Sequence, residues 1–308
     1  MPQDMLREMW LGLKRFWSLR WLVKGPTLVG VVALVALVAL VTLAVFALQG
    51  EGLSEAEKHY IRGIDLGEEG RWEEAIAEYS EAVEADPQFV LAYNNRGNAY
   101  SRLGEFDRAL ADLNKAIELY PDLAMAYSNR GNVHADMGEL QQAISDYDRA
   151  IELEGEASFY ASRGNAYDDL GDVERALADY SKAIELDPSD AFVYRNRGVA
   201  YLRQGDFERS VADLERAIKL EPDYLRAYTS LATARVELGQ YSEALPALDK
   251  VIELDPGFGE AYAIRGAVYA ELDNEGQAIV DMEKALSLIT DPGARAEIEQ
   301  AIEELRAQ

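Results

Sequence analysis

Asparagine recurs through the middle of the chain at an interval of about 34 residues. One series contains Asn95, Asn129 and Asn196, with Asn94 beside its first member, and a second contains Asn98, Asn132 and Asn165. A carboxamide both donates and accepts hydrogen bonds, so it can pair with a peptide unit whatever side chains that peptide carries. The two series therefore predict a surface that binds extended polypeptide. The alternative is that these amides bridge neighbouring helices or face water.

Three arginines extend this surface. Arg195, Arg203 and Arg226 are expected near Asn165 and Asn196, with Phe192 close by. Guanidinium groups bind carboxylates. The pattern indicates a local basic patch that suits an acidic or C-terminal segment of a protein partner.

A second pattern joins arginine to an acid. Six arginines each precede a glycine, and a carboxylate follows each of them 16 residues later. The pairs are Arg62 and Glu78, Arg96 and Asp112, Arg130 and Asp146, Arg163 and Asp179, Arg197 and Asp213, and Arg265 and Asp281. Where the next pair is due, Leu231 and Ala247 replace both members together. We predict an ion pair within each of six structural units, rather than a catalytic use of these acids.

The composition argues against several functional classes. There is no cysteine, so thiolate catalysis, disulfides and cysteine zinc sites are excluded. The two histidines, His59 and His134, are too few for a three-histidine metal centre and fall at packing positions. A net charge of −26 disfavours nucleic acid as a partner. No nucleophile–base set or phosphate-binding loop is present, and we expect no enzymatic activity, no cofactor and no metal.

The interval itself defines the elements that hold these residues. Arg-Gly recurs at 62–63, 96–97, 130–131, 163–164, 197–198 and 265–266, and Pro87, Pro121, Pro188, Pro222 and Pro256 recur in the same phase. Residues Tyr93, Gly97, Tyr100, Gly104, Ala109, Ala116 and Pro121 occupy signature positions 4, 8, 11, 15, 20, 27 and 32 of a 34-residue unit. This pattern resembles the tetratricopeptide repeat (TPR) family.

The resemblance implies an all-α fold, a right-handed α-solenoid of antiparallel helix pairs. Seven units start at 56, 90, 124, 157, 191, 225 and 259 and cover residues 56–292, and residues 293–308 are expected to form a capping helix. In the family, the face that carries both asparagine series lines a concave groove. The series resembles the asparagine ladder in the TPR region of O-linked N-acetylglucosamine transferase, which grips extended peptide. Asn165, Asn196 and Arg226 resemble part of a carboxylate clamp, but Ala161 and Ser230 stand where the clamp has bases.

The first 50 residues differ from the rest of the chain in their charge and hydrophobicity. They carry five basic and two acidic side chains, a net +3, which leaves 25 basic and 54 acidic ones, a net −29, for residues 51–308. Residues 25–50 contain no charge, and Leu28 to Leu48 is long enough to cross a bilayer. We predict a transmembrane signal-anchor helix over 25–50, after a basic amphipathic segment over 1–24 and before a short linker over 51–55. A cleaved signal peptide is the alternative.

The flanking charges predict the topology. Basic residues precede the span and acidic ones follow it, which favours a cytoplasmic N-terminus and an extracytoplasmic repeat array in a bacterial inner membrane. The resulting hypothesis is a membrane-anchored scaffold that binds an extended peptide segment of a protein partner. The alternative is a self-associating structural subunit of a membrane complex, and a homo-oligomer is compatible with either.

Overall fold

The computed structural model describes residues 53–307. The predicted amphipathic segment 1–24 and the predicted span 25–50 lie outside these residues. Within residues 53–307 there are fifteen α-helices and no strand, so the prediction of an all-α solenoid is confirmed for this part of the chain. Within the same part, no helix combines the length and apolarity that a membrane crossing requires.

The helices follow one another in pairs. They are α1 (Glu55–Glu68), α2 (Trp72–Ala85), α3 (Val90–Arg102), α4 (Phe106–Leu119), α5 (Ala124–Asp136), α6 (Leu140–Leu153), α7 (Ala157–Asp169), α8 (Val173–Leu186), α9 (Ala191–Gln204), α10 (Phe207–Leu220), α11 (Leu225–Glu237), α12 (Tyr241–Leu254), α13 (Gly259–Glu271), α14 (Glu275–Leu288) and α15 (Pro292–Ala307). We number the pairs α1–α2 to α13–α14 as units one to seven. Positions within a unit are counted from the starts given above.

Local chemistry sets where the helices begin and turn. Ser54 caps α1 through a reciprocal bond with Glu57, so α1 begins one residue before the expected start of unit one. Turns of two or three residues join the helices of each unit and require one residue in the left-handed region, which glycine supplies in units one to six. In unit seven Asp273 takes that conformation, with φ of 55°.

Packing between units defines two faces. Each first helix from α1 to α9 contacts the first helix of the next unit, whereas the second helices make no comparable contact with one another. The array therefore curves with its first helices on the concave side. Small buried residues such as Ala109, Ala143 and Ala176 allow the two helices of a unit to approach closely. A buried cluster that includes Tyr147, Tyr167 and Tyr180 runs through units three, four and five without interruption.

The last helix closes the array. Arg295 on α15 donates to the backbone carbonyls of Leu286 and Ile289, which belong to the end of α14. Those carbonyls have no partner within their own helix, so the guanidinium satisfies them. Ile302 is the buried contact of α15.

Candidate functional site: the concave face and its supporting ion pairs

The arginines at position 7 form bidentate ion pairs beneath the concave face. In unit two, Arg96 Nε lies 2.6 Å from Asp112 Oδ2 and Nη2 lies 2.7 Å from Oδ1. The same two-bond arrangement, at 2.6–2.9 Å, occurs in Arg130–Asp146, Arg163–Asp179, Arg197–Asp213 and Arg265–Asp281. Each pair joins the first and second helices of one unit.

These pairs are largely withdrawn from water. The five aspartates are 3–7% exposed. Donation to the Asp112 carboxylate raises the pKa of Arg96, and donation to Asp146 raises the pKa of Arg130. Loss of one partner would leave a charge in a site where water cannot fully solvate it.

Each of these arginines also makes a third bond that the sequence pattern did not reveal. Its Nη1 group donates to a side chain on the second helix of the preceding unit. The acceptors are Ser80 for Arg96, Asn114 for Arg130, Asp148 for Arg163, Ser181 for Arg197 and Asp249 for Arg265. One guanidinium therefore links three helices across a unit junction.

Units one and six depart from this arrangement. Arg62 Nε is 3.5 Å from Glu78 Oε2, and the same oxygen lies 2.7 Å from His59 Nδ1, so Glu78 is shared. In unit six Leu231 and Ala247 make no ion pair. There, Arg235 at position 11 donates to Glu215 and to the carbonyl of Glu243. The recurrence of arginine at position 7 gives no indication of this arginine.

Most asparagines of the predicted ladder bond to one another or to tyrosine. Asn129 Nδ2 donates to Asn94 Oδ1 at 3.0 Å, and Asn196 Nδ2 donates to Asn165 Oδ1 at 2.9 Å. Asn95 donates to the hydroxyl of Tyr60. These bonds cross unit junctions, so the amides bridge neighbouring first helices, as the alternative interpretation expected. Asn94 is only 1% exposed.

Two further asparagines accept from tyrosine inside their own unit. Tyr147 donates to Asn132 at 2.8 Å, and Tyr180 donates to Asn165 at 2.9 Å. Burial raises the pKa of both phenols. Among the asparagines of the two series, the amide groups left without a side-chain bond within residues 53–307 are both groups of Asn98, the Nδ2 of Asn132, the Nδ2 of Asn165 and the Oδ1 of Asn129. These are the groups that can still meet a ligand.

The three predicted arginines have different surroundings. Arg203 forms an ion pair with Asp168, while Arg195 bonds only to the amide oxygen of Asn196 and its Nε is buried without a partner. Arg226 is exposed. Among residues 53–307, Arg195, Lys219 and Arg226 are the basic side chains with neither an acidic partner nor a stacked aromatic ring, and two of them lie on the concave face.

Apolar side chains stand at position 2 of the same face. Leu91 is 39% exposed, Met125 is 50% exposed and Phe192 is 48% exposed. They lie on α3, α5 and α9, near the N-terminal ends of these helices. Sequence reasoning noted Phe192 alone, although the common position of all three was the available signal.

No group of histidine and acidic residues within residues 53–307 has the arrangement of a metal site. His59 and His134 each contact a glutamate, Glu78 and Glu139, at 2.7 Å. The described surface therefore offers hydrogen bonds, two uncompensated guanidinium groups and exposed apolar side chains. Groups of these three kinds can contact the backbone and the side chains of a polypeptide.

Comparison with known families agrees with this architecture. Models described as "TPR repeat" match residues 65–104 and 164–205, and models described as "Tetratricopeptide repeat" match 90–123, 124–156, 195–257 and 229–295. Together the matches extend over more than half of the chain. The chain belongs to the tetratricopeptide-repeat family. No curated protein matches it.

Solved structures share the fold at low sequence identity. A TPR protein from Parabacteroides merdae is 19% identical, with a TM-score of 0.55 over 82% of this chain and 99% of that one. PilF from Pseudomonas aeruginosa is 18% identical, with a TM-score of 0.62 over 69% and 97%. A chain of the APC/C hetero-tetramer Cut9–Hcn1 is 19% identical, with a TM-score of 0.60 over 82% of this chain but only 46% of that chain.

Proposed function

We propose that the protein is a membrane-anchored scaffold that binds an extended segment of a protein partner on its concave face. The observation that carries the proposal is the pair of uncompensated guanidinium groups, Arg195 and Arg226, on the concave side of a strongly acidic array. Carboxylates of a peptide would complete their hydrogen bonds. The unused amide groups of Asn98, Asn129 and Asn132 can hold the peptide backbone.

Displayed peptide libraries test this function on the full-length chain. We expect enriched peptides to carry Asp or Glu and to bind less tightly to a variant with Arg195→Ala and Arg226→Ala. The matched control is Arg108→Ala with Arg149→Ala, which removes two exposed arginines from second helices. Equal enrichment by the groove variant and the wild type would remove the proposal.

Membrane anchoring rests on the charge-free residues 25–50 and on the change from net +3 to net −29 across them. We propose a single-pass protein of a bacterial inner membrane, with its N-terminus in the cytoplasm and its repeats outside. A reporter enzyme fused at the C-terminus measures this orientation. Activity of a reporter that works only in the cytoplasm would contradict it.

A further inference from the structure

A pocket of about 240 Å³ opens on the concave side where units one and two meet. Its lining includes Ile64, Gly67, Trp72, Tyr79, Asn95 and Asn98. Pockets that enclose a drug-sized molecule usually measure ~300–1,000 Å³. The volume therefore suits one large side chain better than a free cofactor.

Two polar side chains of this pocket, Tyr79 and Asn98, lack the partner that the repeat provides elsewhere. In units three and four, the tyrosine at position 24 donates to the asparagine at position 9 of the same unit. Unit one keeps the tyrosine, Tyr79, but position 9 is Ile64. The Tyr79 hydroxyl therefore has no asparagine of its own unit to bind, and the amide beside it is Asn95 of unit two.

Unit two has the opposite mismatch. Position 9 is Asn98, but position 24 is Leu113, which cannot donate a hydrogen bond. Asn98 makes no side-chain hydrogen bond within residues 53–307, and it lines the same pocket as Tyr79. Two hydrogen-bonding groups without their usual partners thus border an apolar surface formed by Ile64 and Trp72.

Gly67, at position 12 of unit one, leaves the pocket open because it has no side chain. A Cβ placed there would lie 3.5 Å from Trp72 Cζ3 and 3.8 Å from the Tyr79 hydroxyl, which are ordinary contact distances. A small side chain would therefore fit, but a larger one would extend into the space that the pocket now provides. The neighbouring units carry Ser101 and Ala135 at the same position.

The mouth of the pocket is acidic. Glu68 lines it, is exposed and has no ion-pair partner within residues 53–307, and Asp65 lies one turn earlier on α1. The nearby cation, Arg102, lies over the ring of Trp72 at 5.9 Å. A ligand that places a basic residue at the mouth would match Glu68 and Asp65.

We infer that this pocket receives one leucine-sized apolar side chain of the partner's extended segment, next to a lysine or arginine of that segment. Ile64 and Trp72 would contact the apolar side chain, and Asn98 and Tyr79 would bond to the adjoining backbone. The inference rests on the proposed function and adds a second subsite, at the opposite end of the concave face from Arg195 and Arg226.

Fluorine NMR of the full-length chain tests this subsite directly. The protein, held in lipid nanodiscs, is labelled with 5-fluorotryptophan at its four tryptophans, and Trp72→Phe assigns the pocket resonance. The probe is a capped seven-residue peptide with one leucine between two lysines in a serine background. We expect titration to shift the Trp72 resonance. Replacement of leucine by alanine should weaken binding roughly ten-fold or more, and replacement of both lysines by glutamate should also weaken it.

One variant and one control separate recognition from folding. Ile64→Asn restores the arrangement of Asn132 and Tyr147, so it should preserve the fold and abolish the shift. Val199→Asn makes the same kind of change at position 9 of unit five and should leave the shift intact. The inference is overturned if the Trp72 resonance does not move, if the alanine peptide binds as well, or if an octanoyl chain replaces the peptide as the better ligand. Peptide binding that depends on Arg195 but leaves Trp72 unmoved would overturn this subsite alone.

Discussion

Arg235 Nη2 on α11 lies 2.6 Å from Glu215 Oε1 on α10, across the junction of units five and six. In units two to five and in unit seven, the arginine at position 7 donates a hydrogen bond to the preceding unit. Unit six has Leu231 at position 7, and the bond across its junction is made by Arg235 at position 11 instead. The junction bond is retained even where the ion pair between positions 7 and 23 of the unit is absent.

Arg235→Leu should weaken the junction between units five and six. The change removes bonds to Glu215 and to the carbonyl of Glu243, and we expect a loss of about 1–3 kcal/mol, within the range for lost hydrogen bonds to partly buried groups. Urea unfolding followed by hydrogen exchange in α10 and α11 measures it. Arg226→Leu is the matched control, because it makes the same substitution at an exposed position of the same helix. Equal protection in the two variants would contradict a role for Arg235 at the junction.

Asp146→Ala should strongly destabilise unit three. Asp146 is 6% exposed and holds Arg130 with two bonds, so its removal leaves a poorly solvated guanidinium, at a cost of about 3–5 kcal/mol. The control is Glu152→Ala on the same helix, which breaks an exposed pair with Arg149 and should cost about 0–1 kcal/mol. Thermal and urea unfolding compare the two. An Asp146→Ala curve that overlays the control would show that water solvates the pair.

Two glycine substitutions should have opposite effects. In Gly131→Ala the new Cβ would lie 2.7 Å from Tyr147 Cε1 and 3.2 Å from the carbonyl oxygen of Ala143, so helices α5 and α6 would have to separate, at about 1–3 kcal/mol. In Gly67→Ala the contacts are ordinary, and the lower flexibility of the unfolded chain should add about 0.5–1 kcal/mol of stability. Melting temperatures decide the matter, and a stabilising Gly131→Ala would refute the close approach of the helices.

Stability should fall at alkaline pH. Burial raises the pKa of Tyr79 to about 12, whereas an unfolded tyrosine titrates near ~10. The folded state therefore keeps this proton after the unfolded state has lost it, so the contribution of Tyr79 to stability is constant below pH ~10 and declines as the pH rises above it. Burial acts in the same direction on Tyr147 and Tyr180.

Absorbance at 295 nm follows this titration. We expect a late-titrating fraction of tyrosines in the folded protein, a smaller fraction in Tyr79→Phe, and a single transition near pH ~10 in urea. A folded protein whose tyrosines all titrate with the urea-unfolded chain would contradict the prediction.

Much of the fold follows from local patterns. Proline and glycine recur at fixed positions of a unit, so the approximate starts of helices such as α3 and α5 can be read directly. The spacing of 16 residues between Arg96 and Asp112 also indicates their pairing, because loss of both at Leu231 and Ala247 shows which residues depend on each other. Contacts that recur in most units can therefore be predicted from the periodic pattern of the sequence.

Contacts that break the period could not be predicted in this way. Arg235 stands at position 11, where five of the other six units have tyrosine or histidine, and only the packing of α10 against α11 shows that it contacts Glu215. The asparagine rows pose a different problem. Sequence places Asn94 and Asn129 on one side of their helices, but whether an amide meets a ligand or its neighbour depends on side-chain rotamers and on the distance between helices. The bond between these two residues appears only in three dimensions.

A guanidinium crosses every junction between consecutive units described here, five from position 7 and one from Arg235. These links are arranged in series, so a force that pulls the two ends of the array apart would load all six junctions equally. The junctions at Ser80 and Ser181, whose acceptors are uncharged hydroxyls, would then separate before those at Asp148 and Asp249, whose acceptors are carboxylates.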